Sequence, residues 1–247
     1  MPQNHQPCDV ISKKLRSCQS FKNITIKKMK LHVIYVEGNI GSGKSTILQA
    51  LSQLCKPTFA HIIQIPEPIK LWTESGALGW LYTKKIDSKI FQNMVLTTRA
   101  TNIINSLRAI DKINLKEDDN ILIVVERGLQ FGCKAFANMN SFSPEEDSLY
   151  TINNDSLLEI IYDTLRKYDP KFVETYFYIK VSTLVCASRI NYRERREEKN
   201  IDLQYLKKVE IAHNEMQAEL MERGHDINIV NGELQTSEIC KNILTYL

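Results

Sequence analysis

Residues Gly38 to Ser45 fit the form G-x-x-x-x-G-K-[ST], in which glycines and a Lys-Ser pair build a nest for phosphate oxygens. The glycines let the backbone turn sharply and aim the N–H groups of Gly38, Asn39, Ile40, Gly41, Ser42 and Gly43 inward. Lys44 is placed to reach the outer phosphates of a nucleoside triphosphate, and Ser45, followed by Thr46, to hold Mg²⁺. A helix opening at Lys44 adds the positive end of its dipole. The plain alternative is a Gly/Ser turn with no ligand. The context speaks against it, because the apolar run Val33–Val36 precedes the loop and an amphipathic pattern follows, with Ile47, Leu48, Leu51, Leu54 and Cys55 on one face.

Further charged residues stand where such a loop would use them. Glu67 directly follows the strand-like run His61–Ile65 and Pro66. A carboxylate just past the carboxyl end of a parallel strand sits where open α/β sheets bind ligands, and it can accept the proton of an attacking hydroxyl. Taken alone, it would read as a solvated loop acid. Glu126-Arg127 ends the aliphatic run Ile121–Val125. Glu126 fills the position that organises Mg²⁺ in P-loop proteins, and Arg127 can neutralise phosphate charge. Their bland reading is a salt-bridged pair at a strand end. Arg189, Arg193 and Arg195 belong to a dense charge run, and the first two share a helix face. Such runs are ordinarily solvated, and Glu194, Glu197 and Glu198 nearly cancel this one as a nucleic-acid patch. A lid whose arginines clamp a transferring phosphoryl group fits better. Gln92 lies among apolar residues, with Arg99 two turns along the same face. Gln92 is either a satisfied core amide or a donor–acceptor pair for the edge of a base. Phe136 and Trp72 can wall such a pocket by stacking, although lone aromatics are more often core.

These groups need a scaffold that gathers them at one edge. Strand patterns at about 31–37, 61–65, 121–125, 175–179 and 227–230 alternate with helical ones at about 44–55, 76–83, 87–113, 129–138, 148–168 and 182–193. Asp202 caps another helix that runs to Arg223 with Gly224 as its stop, and a last helix closes the chain. The alternation predicts an α/β P-loop kinase fold: a parallel five-stranded sheet, helices on both faces and an arginine-rich lid.

The 247 residues suffice for one large core, expected over 31–247. A net charge of +3 is too small to argue for a nucleic-acid partner, and no apolar run approaches the ~20 residues of a membrane helix. Six cysteines without a C-x-x-C pair argue against a zinc site and a disulfide framework, and for reduced thiols in a cytoplasmic setting. Residues 1–30 are basic, with Asp9 their only acid, and read as a disordered arm. The alternative, a mitochondrial presequence, is less favoured because arginine is scarce there. The sequons at Asn23 and Asn154 are expected to carry no sugar.

Taken together, the ordered motifs resemble the deoxyribonucleoside kinases of the deoxycytidine, deoxyguanosine and mitochondrial thymidine kinase type, including the insect multisubstrate enzyme. The resemblance runs from about residue 31 to the C-terminus and rests on Glu-Gly-Asn-Ile…Gly-Lys-Ser-Thr at 37–46, Glu-Pro…Trp at 67–72, Phe-Gln at 91–92, Glu-Arg at 126–127 and the lid at 189–198. It implies transfer of a phosphoryl group from ATP with Mg²⁺ to the 5′-hydroxyl of a deoxyribonucleoside, in a homodimer. Glu67 is then the base for that hydroxyl, steadied by Arg127. Glu126 acts on Mg²⁺, and Arg189, Arg193 and Arg195 close over the phosphates. Glu198 and Tyr82 hold the 3′-hydroxyl. Gln92 reads the base, Phe136 stacks on it and Trp72 lines the cleft. Asn231, Gly232 and Glu233 fall in the adenine loop.

Three departures stand out. Gly128 replaces the family's usual Ser, and Tyr82 lies one residue too close to Gln92. In deoxycytidine and purine kinases an Arg on the long helix pairs with an Asp six residues after the Glu of Glu-Arg. This chain keeps Arg99 but has Gly132 there, where thymidine-accepting members have Ala, and Val95 also looks like theirs. The expectation is that Gly132 opens room for a 5-methyl group, that Arg99 lacks its anion, and that the enzyme prefers pyrimidines or is broad, thymidine included. A thymidylate-like nucleoside monophosphate kinase is the alternative; it should carry a second cationic group for the substrate phosphate.

Overall fold

The computed structural model describes residues 30–116 and 118–247. All of the basic arm but Lys30 lies outside them, as do Asn23 and Cys8 and Cys18. Five parallel strands form one sheet in the order β2-β3-β1-β4-β5: β1 (Lys30–Gly38), β2 (His61–Ile65), β3 (Asn120–Glu126), β4 (Val173–Lys180) and β5 (Ile227–Asn231). The strand patterns in the sequence fall within a few residues of these bounds.

The strands are buried on both faces, and their alternation sorts the core into two layers. Leu31, Val33 and Tyr35 of β1, Ile121, Ile123 and Val125 of β3, and Tyr176 and Tyr178 of β4 face one layer. That layer is closed by α4 (Ser88–Arg108), α6 (Pro144–Tyr168) and α8 (Leu203–Glu222). Ile34, Val36, Leu122, Val124, Phe177 and Ile179 face the other, closed by α1 (Lys44–Leu54), α7 (Thr183–Arg193) and α9 (Thr236–Leu244). Short helices α2 (Ile69–Glu74), α3 (Ala77–Tyr82) and α5 (Lys134–Asn138) lie at the carboxyl edge.

The helix ends follow from local chemistry. Asp87 caps α4 by accepting from the Lys89 N–H, and Asp202 caps α8 by accepting from Tyr205. α6 starts four residues before its expected start, because Ser143 and Glu146 form a capping box and Pro144 takes the first turn. The expected helix over 129–138 is instead a wide π-helical turn, Leu129–Cys133, running into α5. The sequence pattern gives no sign of α2.

Register sets the site. Val36 pairs with Glu126, Ile65 with Val125 and Gly38 with Ile179. The phosphate loop, Glu67 and Glu126-Arg127 therefore leave the sheet at one edge, beside β1, which has β2 and β3 on one side and β4 and β5 on the other. The four described cysteines are buried and free. Asn154 is fully buried and donates to the Leu129 carbonyl, so its sequon is closed to a glycan. Among the described residues, no helix is long and apolar enough to cross a membrane.

Candidate active site

A cleft of about 550 Å³ opens at this edge, lined by the phosphate loop from Ile40 to Thr46 and by Glu67, Glu126 and Arg127. Gly38 adopts φ +147°, and a Cβ there would lie 2.7 Å from the Ile179 carbonyl, so only glycine lets the loop pass against β4. Asn39 is buried; its amide donates to Leu206 O at 2.9 Å and its Oδ1 accepts from Ile40 N at 2.7 Å, tying the loop to α8. Lys44 Nζ donates to the carbonyls of Gly38 at 3.2 Å and Asn39 at 2.8 Å. Burial, with the Arg127 charge, lowers its pKa to about 8.

The end of β3 meets the start of α1 through a side-chain hydrogen bond, Ser45 Oγ donating to Glu126 Oε1 at 2.7 Å. These are two hard oxygen donors beside a phosphate loop, and Mg²⁺ takes one or two such ligands together with substrate phosphates. The residues fit the ion. Among the described residues no group of three or more His, Cys, Asp or Glu forms a metal cage of its own.

Glu67 is held from two sides. Its Oε1 accepts from Arg127 Nε at 3.0 Å and lies 3.2 Å from Arg99 Nη1. The Arg99 contact is a charge pairing without an aligned hydrogen bond, since Nη1 and Nε donate to nothing among the described residues. Burial pushes the Glu67 pKa up, but Arg127, Arg99 and Lys44 together hold it below the usual carboxylate range. Arg99 thus has an anion after all, contrary to expectation: the carboxylate it meets is Glu67. Its Nη2 also donates to the Glu126 carbonyl.

Arg127 sits in the left-handed region, φ +64°, a strained backbone for a long side chain, and strain of this kind clusters at functional sites. Its guanidinium lies 4.7 Å above the Phe136 ring, and its Nη1 lies 3.0 Å from His213 Nε2. Gly128 is where Tyr35 presses in, since a Cβ would meet that ring at 2.7 Å. Its N–H donates to Glu37 Oε1 at 2.6 Å, while Glu37 Oε2 is buried without a partner among the described residues.

Gly132 corrects the sequence reading. A Cβ there would lie 2.0 Å from Arg127 Cγ and 2.7 Å from Glu37 Oε2. The space beside it holds the Arg127 stem, so it opens no room for a 5-methyl group, and Gly132 is off the cleft wall. The wall opposite the phosphate loop consists of Trp72, Leu78, Leu81, Tyr82, Phe91, Gln92, Val95 and Phe136. Gln92 is 5% exposed and its Oε1 has no partner among the described residues. Trp72 is a core ring that also reaches the wall, its indole N–H donating to Thr98 Oγ1 at 3.0 Å.

The lid differs in part from expectation. Arg193 and Arg195 do face the cleft, but both grip the buried Glu198, Arg193 Nε at 2.7 Å and Arg195 Nη1 at 2.6 Å. Arg189 bridges the carbonyls of Ser42, at 3.1 Å, and Gly232, at 3.0 Å. Of the adenine-loop candidates only Gly232 lines the cleft. Asn231 Oδ1 accepts from Glu233 N and Glu233 Oε1 from Ser182 N, so both side chains serve the loop itself, and Leu234, Thr236 and Ile239 line the cleft instead.

His213, Tyr205 and Glu37 escaped the sequence reading as site residues. His213 is one buried position in the apolar stripe of α8, which by period alone is core. Tyr205 stands in the first turn of that helix and packs edge-on against Tyr82. Glu37 had a signal, an acid inside an otherwise apolar strand end.

A sequence model of the deoxynucleoside kinase family matches residues 34–245. Human deoxycytidine kinase is 26% identical over 217 residues, covering 80% of this chain and 79% of that protein. The bovine deoxycytidine kinase is 25% identical over 216 residues, with 80% and 79% covered. The solved structure of the deoxyadenosine kinase from M. mycoides with bound dATP superposes with a TM-score of 0.53 at 20% identity, covering 87% of this chain and 98% of that one, which supports the fold. With most of its length matched by that family model, the chain belongs to the deoxynucleoside kinases, a family of transferases that phosphorylate deoxynucleosides.

Proposed function

We propose that this enzyme transfers the γ-phosphoryl group of ATP to the 5′-hydroxyl of a deoxyribonucleoside, and that it accepts pyrimidines broadly, thymidine included. The observation that carries the reading is Glu67 lining one cleft with Lys44, its Oε1 fixed by Arg127. Among the described residues, no chain group hydrogen-bonds Glu67 Oε2, which leaves that oxygen for the substrate. In the reaction the 5′-oxygen attacks the γ-phosphorus, its proton passes to Glu67 Oε2, and the bond from the γ-phosphorus to the β–γ bridging oxygen breaks to release ADP. Such transfers pass through a loose transition state, so positioning matters more than base strength. This suits a carboxylate whose pKa is lowered by neighbouring cations.

Lys44 exchanges its loop carbonyls for phosphate oxygens, and Arg193 and Arg195 share their charge between Glu198 and the phosphates. Ser45 and Glu126 would hold Mg²⁺, which neutralises phosphate charge as the transfer proceeds. Tyr82 and Glu198 hold the sugar 3′-hydroxyl. Gln92 supports the breadth in bases. Its amide presents a donor and an acceptor, and a half-turn of the amide reverses them, so one side chain meets either thymine or cytosine. Among the described residues, Glu67, Glu126 and Glu198 are the acids on the cleft, and none of them is among the base-wall residues to select a cytosine amino group.

The same reading includes a homodimer. Leu149, Ile152 and Ile160 lie on one face of α6 and are 68%, 60% and 48% exposed, more apolar surface than a lone helix face ordinarily shows.

The test is purified protein with ATP and Mg²⁺ against each of the four deoxynucleosides, with thymidine 5′-monophosphate as a comparison acceptor. The reading expects 5′-monophosphates from thymidine and deoxycytidine; phosphorylation of the monophosphate alone, or of none, defeats it.

A further inference from the structure

We propose that Arg99 is a positioning residue for Glu67: its guanidinium sets where that carboxylate stands in the cleft and does not read the nucleobase. The assignment rests on the kinase reading above and concerns which job one buried cation does within it.

The geometry is specific. Arg99 lies on α4 two turns after Gln92 and one turn after Val95, both on the cleft wall, whereas Arg99 is 2% exposed and off that wall. Its head points to the strand ends instead. Nη2 donates to the Glu126 carbonyl at the end of β3, and Nη1 stands 3.2 Å from Glu67 Oε1, just past the end of β2. A planar fork with one arm fixed on main chain can hold a carboxylate on the other arm in a defined place. Arg99 and Arg127 meet the same oxygen, Oε1, from two elements, and Oε2 takes no hydrogen bond from the described residues.

The rest of the neighbourhood explains why Arg99 is free to do this. At Gly132 there is no side chain to draw the guanidinium toward the base, and that place is filled by the Arg127 stem. The charged groups around the Glu67 carboxylate are Arg99 from α4, Arg127 and Glu126 from the end of β3, and Lys44 from the phosphate loop. Arg127 is already shared with His213. Without Arg99, the one side chain left in close contact with the Glu67 carboxylate among the described residues would be that shared Arg127, and a displacement of about an ångström in a reacting group costs on the order of a hundredfold in rate.

The experiment compares wild type, Arg99→Met and Arg99→Lys with ATP-Mg²⁺ and each of thymidine, deoxycytidine and deoxyadenosine, and adds Arg99→Met in a Glu67→Gln background. Arg99→Met should lower kcat by about tenfold to a hundredfold for every nucleoside by a common factor, with KM within about threefold. The ratios of kcat/KM among bases should not move. Arg99→Lys, which keeps the charge, should recover part of kcat. In the Glu67→Gln background the Arg99 change should cost little more, because it acts through the missing carboxylate. With an active wild type, altered base ratios at preserved kcat would make Arg99 a base reader and overturn the assignment. So would equal losses in the Lys and Met variants, full additivity with Glu67→Gln, or no loss at all. A wild type inactive on every nucleoside would overturn the kinase reading itself, and the assignment with it.

Discussion

His213 Nε2 accepts a hydrogen bond from Arg127 Nη1 at 3.0 Å, while its Nδ1–H donates to the Val209 carbonyl at 2.8 Å. The tautomer follows from the partners: arginine only donates and a carbonyl only accepts, so the ring is neutral with its proton on Nδ1. Burial and then the Arg127 charge push its pKa well below the usual value, which keeps it neutral. The ring is packed among Phe131, Phe136 and Tyr178, so it cannot turn away. His213→Leu leaves a buried guanidinium arm unpaired, at a cost of about 1–3 kcal/mol. We expect kcat to fall by roughly tenfold to a hundredfold in a folded protein. His213→Gln, which retains an acceptor, should lose less. Steady-state kinetics beside thermal melts check this.

Ser45 and Glu126 share a hydrogen bond at the mouth of the phosphate loop. Each should matter more at limiting than at saturating metal. Ser45→Ala and Glu126→Gln are expected to raise the Mg²⁺ concentration for half-maximal rate by about tenfold, in line with the loss of one ligand. A Mg²⁺ titration at fixed ATP measures it; unchanged half-saturation in both variants would remove the metal assignment.

Gly132→Asp places an acid where the family resemblance implies one in deoxycytidine kinases. A side chain at 132 meets Arg127 Cγ at 2.0 Å, and overpacking of this kind costs about 1–3 kcal/mol. The variant should therefore lose activity on all nucleosides as Arg127 is displaced from Glu67. Activity panels and melting temperatures decide the matter. A gain in deoxycytidine preference at intact kcat would contradict the geometry.

Much of this arrangement was legible in the chain because its signals are local. The phosphate loop is fixed by glycine spacing, and each strand by a short run of aliphatic residues between turns. Glu67 and Glu126 could be placed because both stand within two residues of the end of such a run, and parallel register then brings both to one edge. What was not legible depends on distant groups. Nothing near Gly132 reveals that the Arg127 stem fills its side-chain position, and nothing near Arg99 reveals that its nearest acid comes from the end of β2. Glu198 capturing Arg193 and Arg195 is likewise a matter of how the segment after α7 folds back, with Glu194 in the left-handed region at φ +52°. The capping box before α6 was written plainly as Ser143-Pro-Glu-Glu146, yet the apolar period begins later, at Tyr150.

Glu37 is fully buried with one free oxygen, and burial raises its pKa to about 7 against the opposing pull of Arg127 and the Gly128 N–H. The folded chain therefore binds this proton more tightly than the unfolded chain, where the carboxyl titrates near 4.5. Its contribution to stability is full below that lower value and is lost as pH rises through about 7. Glu37→Gln fixes the neutral form. The melting temperature of the variant relative to wild type should climb between these limits, by on the order of a few degrees, then level off. Thermal melts across that range read the difference; a flat difference would show that Glu37 does not titrate there.

Transfer from ATP labelled at the γ-phosphate to thymidine, with the product position assigned by phosphorus–proton NMR and the rate compared between wild type and Glu67→Gln, tests most directly whether Glu67 and Lys44 bracket a sugar hydroxyl. The predicted result is label on the 5′-oxygen, a rate lower by about a hundredfold or more in the variant, and little change in its ATP affinity. Label on the 3′-oxygen, or a Glu67→Gln rate near that of wild type, would contradict it.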